Sequence, residues 1–372
     1  MPEYGAGGLA VGGAARPDAA AGEQDDGSRA VIDVHHHFCA PAWRRWAEGQ
    51  GLVGPRSLPP WAGWEAEGAL ALMDRAGIAV AVLKPMLPAR YESPAQLREA
   101  VAVTLEAAAE VVEAHPGRFA FHAPLFLDEE EVSSWTLRRG LDELGAVGVN
   151  VTANYRGVYL GDPAYDRVFA ELDERAAIVD THPHNLPDGP AGGHPTVSPH
   201  GPGGNAPAGA GGGPGGGPGG PAAVPGLPNF LCDFLLDTTR AAANMIRTRT
   251  LDRFPNLSVI LPHGGGFLPQ IATRMEAFAG AFDPPVEPAA VRDHMHRFYY
   301  DTAGPLSPAG TLLATVDPAR ILFGSDWPAC PAGVVADLAV PALAADPALT
   351  VRQRRGINRE NALRLMPGLV RA

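Results

Sequence analysis

Residues 31–40 read VIDVHHHFCA, an apolar β-branched run that ends in three consecutive histidines. The apolar part has the composition of a strand buried on both faces. With AVIDVH (30–35) at their head, seven further runs share that character: IAVAVL (78–83), FAFHAP (119–124), VGVNV (147–151), AIVDTH (177–182), LSVILP (257–262), RFYYDT (297–302) and ILFGS (321–325). Helix-length segments separate most of them. Residues 95–114 (AQLREAVAVTLEAAAEVVEA) and 165–176 (YDRVFAELDERA) carry apolar positions near a 3.6 spacing, and the first runs into a Pro-Gly pair that stops a helix. Eight βα units in 372 residues fit an α/β chain folded as a (β/α)8 TIM barrel. The other candidate is a doubly wound open sheet, whose nucleotide-binding version wants a GxGxxG turn that is missing after the first strand.

The rest of the chain bounds the reading. Residues 1–29 lack the basic start and continuous apolar middle of a secretory signal and read as a disordered tail, leaving 30–372 as the barrel. Residues 186–228, rich in Gly, Pro and Ala (GAGGGPGGGPGGPAAVPG), cannot bury enough apolar surface to order themselves and read as a flexible insertion after strand 5. It is either a lid over the rim or a tolerated expansion. A net charge of −12 argues against nucleic acid or an anionic membrane as partner. Three dispersed cysteines, Cys39, Cys232 and Cys330, argue against disulfides and for a cytoplasmic setting. No run is long and apolar enough for a spanning helix.

Strand geometry gives the histidines meaning. Residues two apart face one side, so His35 and His37 point into the barrel at the carboxyl end of strand 1 and His36 points to the helices. By itself the HxH spacing suits satisfied core or surface histidines as well as a metal. The other strand ends change the balance: His182 follows AIVDT, His263 follows SVILP and Asp326 follows ILFGS. In a parallel barrel all carboxyl ends share one rim, so these side chains converge whatever their separation in sequence.

The motifs DVHHH (33–37), THP (181–183), LPHGGG (261–266) and FGSDWP (323–328), in that order, resemble the amidohydrolase superfamily. The branch they resemble contains aminocarboxymuconate semialdehyde decarboxylase and the salicylate-type and 6-methylsalicylate decarboxylases; residues 237–266 and YYDTAG (299–304) share the likeness. The resemblance implies that His35, His37 and His182 bind a divalent metal, that Asp326 is a fourth ligand and proton carrier, and that His263 is an acid/base beside it. Strand 4 offers Asn150 where two-metal members carry a modified lysine, and the chain's only lysine is Lys84. One metal is therefore expected, zinc or else manganese. A homodimer is expected from the same resemblance.

Two reactions use such a centre: decarboxylation of a small aromatic acid, or hydrolysis of a lactone, amide or carbon–carbon bond. A catalytically silent binding barrel is the reading from another class. Decarboxylation needs Asp326 protonated at the right moment, which anionic neighbours would favour. It also needs partners for a small-molecule carboxylate, for which Lys84 after strand 2 and Arg240 are candidates. Trp327 is the preferred aromatic wall, ahead of Trp43, Trp46, Trp61 and Trp64.

Overall fold

The computed structural model describes residues 31–54, 58–88, 90–184, 186, 227–304 and 309–370. The N-terminal tail and nearly all of the Gly/Pro insertion lie outside them.

Eight parallel strands follow one another around a barrel: β1 Val31–Phe38, β2 Ile78–Pro85, β3 Phe119–Pro124, β4 Gly148–Thr152, β5 Ile178–His182, β6 Ser258–Leu261, β7 Tyr299–Asp301 and β8 Ile321–Leu322. Each neighbour in sequence is the neighbour in space. The ring closes where Val34 N donates to Phe323 O at 2.9 Å and His37 N to Trp327 O at 2.7 Å. This is the (β/α)8 barrel, and the open sheet is excluded.

Helices cover the outside. The helix Pro94–Ala114 is started by Ser93, whose hydroxyl accepts from Gln96 N, and by Pro94 in its first turn. The helix Ala66–Ala76 ends at Gly77 in the left-handed conformation. Among the described residues no helix is long and apolar enough to cross a membrane.

Alternation along the strands sorts the side chains into two cores. Ala81, Leu83, Phe119, Phe121, Val149, Val151, Val179 and Val259 face the helices. Ile32, Val34, Val80, Val82, Ala120, Ile178, Ile260 and Leu322 fill the barrel, joined by Ala362, Met366 and Leu369 of the C-terminal segment. Above this apolar layer the same inward rows become polar: Lys84 follows Val80 and Val82, and Asp180 and His182 follow Ile178.

Strand 1 departs from simple alternation. With Ile32 and Val34 inside, strict alternation would turn His35 outward, yet His35 and His37 are both inside. The ladder with β2 slips between Asp33 and His36, a bulge that resets the facing. Asp33 secures it: Oδ1 accepts from His35 N (3.1 Å) and Ser325 N (2.8 Å), and Oδ2 accepts from Ser325 Oγ (2.6 Å). A carboxylate inside a strand is thus explained by the free backbone N–H it satisfies.

Candidate metal centre

The bulge delivers two imidazoles to one point. His35 Nε2 and His37 Nε2 lie 3.3 Å apart, and Asp326 Oδ1 lies 2.8 Å from the second and 3.5 Å from the first. His182, from the end of β5, brings its ring centroid to 4.9 Å from that of His37 and 5.4 Å from that of His35. One ligand atom from each of these four residues falls within 4.8 Å of all the others. Two nitrogen or oxygen ligands about 2.1 Å from a common cation are about 3.0 to 3.4 Å apart at octahedral to tetrahedral angles, which matches these spacings.

Hydrogen bonds around the cluster turn the right nitrogens inward. His182 Nδ1 donates to Pro183 O at 2.7 Å, so its Nε2 carries the lone pair. His35 Nδ1 donates to Asp301 Oδ2 at 2.8 Å, the carboxylate support usual behind a metal-bound imidazole. The Asp301 carboxyl sits at about 2: burial pushes it up, but the adjacent His35 and its hydrogen bond outweigh that. Burial lowers His37 to about 4 and holds His182 well below the ordinary histidine value. Neutral imidazole is the form that binds metal.

Backbone strain sits here too. His263 and Asp326 have φ of +53° and +60°, left-handed values that cost non-glycine residues about 1 to 3 kcal/mol each. The three glycines after His263 also have positive φ, and a side chain on Gly265 would come within 2.7 Å of the Tyr300 ring. This turn carries His263 to the rim, where its Nε2 is 3.8 Å from Asp326 Oδ2. His263 borders the four-residue cluster and is not one of its members.

Other expectations are changed. Asp326 was expected among anions; its neighbours are imidazoles. Burial raises its carboxyl, but the adjacent imidazoles of His263 and His37, the second hydrogen-bonded to it, outweigh that and hold it well below the ordinary range. Lys84 does not reach the rim. It is fully buried beneath the cluster, 2.9 Å from Asp180 Oδ1, and donates to Thr181 O at 3.0 Å. Asp180 Oδ2 also meets His122 Nδ1 at 3.2 Å. With those partners the ammonium is committed inside the barrel, and a substrate carboxylate cannot take it without breaking a buried ion pair. Arg240 is exposed on the helix Asp233–Arg247, beside Asp237 and Tyr159, and does not line the cavity described next. Trp327 packs on His36, ring centroids 4.8 Å apart, on the helix side of the strands. Both face away from the metal cluster because the bulge sends His36 outward.

A cavity of about 470 Å³ opens at the carboxyl ends of β1 to β5, with His182 in its wall. Its walls are largely apolar: Trp43, Trp61, Met86, Phe126 and Phe234. Trp61, in the segment between β1 and β2, stands 5.8 Å from His37 by ring centroids. Arg90 is the one Lys or Arg among the described lining residues. Cys39 also lines it, outside the four-residue cluster, and burial pushes its thiol up to about 12. Sequence reasoning missed Asp301, Asp180 and Arg90. The first was findable, since it ends a barrel strand as Asp326 follows one; the others needed the packing.

The chain is similar to known proteins along most of its length. The amidohydrolase family pattern matches residues 32–367. A 6-methylsalicylic acid decarboxylase from Aspergillus aculeatus is 28% identical over 359 residues, 92% of this chain and 97% of the relative. A solved amidohydrolase II structure is 28% identical with a TM-score of 0.73, covering 91% of this chain and 99% of the other. A dihydroxybenzoic acid decarboxylase from a Polaromonas species, solved with manganese and 2-nitroresorcinol, shares the fold at 20% identity and a TM-score of 0.69, covering 91% and 97%. This chain belongs to the amidohydrolase family.

Proposed function

We propose that the protein is a metal-dependent, non-oxidative decarboxylase of a small aromatic carboxylic acid. His35, His37, His182 and Asp326 would hold a single divalent cation, zinc or manganese. The observation that carries the reading is the juxtaposition of this three-imidazole, one-carboxylate cluster with a mostly apolar cavity. Kinship with a 6-methylsalicylic acid decarboxylase along nearly the whole chain supports it.

A bound divalent cation supplies Lewis acidity toward the substrate's oxygens. The chain's own residues supply the rest. Trp61 and Phe126 offer flat apolar surfaces for a ring, and the apolar walls strip water from a carboxylate whose charge is dispersed as the carbon–carbon bond breaks. Asp326, ionised at rest, would take the proton of a ring hydroxyl and return it to the ring carbon that loses carbon dioxide. A carboxyl with so low a pKa is a strong proton donor once protonated. His263, 3.8 Å from its outer oxygen, would exchange protons with it. Asp301 and Lys84 position: the first holds His35, and the second neutralises Asp180 beneath the centre.

The test is carbon dioxide release from a panel of hydroxybenzoates by zinc- or manganese-loaded protein, run beside lactone and amide hydrolysis. Release from at least one acid, lost in Asp326→Asn, is expected. Hydrolysis without carbon dioxide release from any acid would replace this reading with a hydrolase.

A further inference from the structure

We infer that Asn150 selects the substrate, by hydrogen-bonding an oxygen substituent on the ring other than the groups that meet the metal. The inference rests on the decarboxylase reading and adds to it the class of acid: one with a further ring hydroxyl or methoxyl. Asn150 lies on β4 in the inward row with Thr152, one strand from His182, and lines the cavity. Its register partner on β5 is Asp180, two residues before that histidine. It is 6% exposed, and its amide nitrogen has no hydrogen-bond partner among the described residues.

A buried amide left unpaired costs about 1 to 3 kcal/mol, so it calls for an explanation. Trp43 and Trp61 also line the cavity with unpaired indole N–H groups, but these can only donate, and the polar side chains of Thr152 and Tyr155 are already used within the fold. Tyr155 donates its hydroxyl to Leu125 O at 2.7 Å, and Thr152 donates to Asn154 O at 2.9 Å. Arg90 is exposed at the edge of the cavity. Against the apolar walls, Asn150 is the uncommitted polar group in the interior row. Turning the amide about its last side-chain bond presents either the N–H or the carbonyl to the cavity, so it can serve a hydroxyl or a methoxyl. A site that hydrogen-bonds a substrate group discriminates against analogues lacking it, because its own polar atom is then stranded.

The probes are nitro analogues, in which a nitro group replaces the carboxylate: 3-methyl-2-nitrophenol, and its derivatives with a hydroxyl or methoxyl at each open ring position. They cannot lose carbon dioxide, and their absorbance reports binding to zinc-loaded protein. For the parent, an added oxygen at one position should tighten the dissociation constant by about five- to hundredfold. Asn150→Leu should erase that gain while binding the unsubstituted probe at least as well, and Asn150→Ser, which keeps a hydroxyl, should retain part of it. An equal gain in parent and Asn150→Leu, or no gain at any position, overturns the inference and leaves the decarboxylase reading standing. If no analogue binds and no acid releases carbon dioxide, both fall.

Discussion

Replacing Asp301 by Asn should weaken metal binding without touching a ligand. The residue is fully buried, with Oδ2 2.8 Å from His35 Nδ1 and Oδ1 accepting from His263 N at 2.8 Å and Ala303 N at 3.0 Å. An asparagine of the same shape cannot serve all three donors. If its amide nitrogen faces His35, two donors meet and the imidazole must move its proton to Nε2, where the lone pair is needed. If it faces the backbone, two buried N–H groups lose their acceptor. Loss of such a supporting carboxylate costs about 10- to 100-fold in metal affinity. The carboxyl titrates near 2 in the fold against about 3.9 unfolded, so its ionised form contributes about 2 to 3 kcal/mol to the metal-free protein. Because the folded value is the lower one, that contribution is present above about pH 4 and disappears as pH falls toward 2. Zinc competition against a chromophoric chelator at pH 7.5, with urea unfolding of the metal-free protein, measures both. A folded variant that binds zinc within twofold of the parent would refute the reasoning.

Other outcomes follow from the same geometry. Lys84→Met leaves Asp180 charged in the barrel without its cation, with only His122 beside it, and should lower stability by about 3 to 5 kcal/mol in urea unfolding, with Lys84→Met/Asp180→Leu recovering most of it; equal loss in the double variant would contradict the pairing. His37 accepts its proton only near pH 4 in the fold and near 6.5 unfolded. The metal-free protein should therefore lose about 3 kcal/mol as pH falls across that interval, while the loaded protein keeps its metal through dialysis at pH 6. Release of metal at pH 6 would count against this. Gly265→Ala should cost more than about 2 kcal/mol, because the new methyl meets Tyr300 at 2.7 Å on a left-handed backbone; Gly280→Ala, with nothing within 4 Å, is the control.

Much of this was legible in the sequence because barrels turn local pattern into global geometry. All eight strands were placed from composition, and their order around the barrel follows from parallel right-handed crossovers. The meeting of His35, His37, His182 and Asp326 was visible for the same reason. What escaped depends on facts that alternation does not encode. The bulge at Asp33–His36 decides which histidines face inward, and the expectation reached the right faces without knowing of it. The same outward turn draws Trp327 onto His36, whereas Trp61, from a loop with no periodic signal, stands at the cavity. Lys84 read as a rim cation because it follows an apolar run. In fact the inward row of β2 continues through it, and its partner Asp180 sits three strands along the barrel, on β5. The ionisation of Asp326 depended on neighbours contributed by two other strand ends, His37 at the end of β1 and His263 after β6, beyond reach of any local window.

The central claim is that four side chains from three strand ends grip one cation. Elemental analysis of never-chelated protein, for the parent and for His182→Ala with an unchanged circular dichroism spectrum, tests it most directly. One equivalent of zinc or manganese in the parent and its loss in the variant are expected; a metal-free parent that takes up neither ion, or a variant that retains full metal, would contradict it.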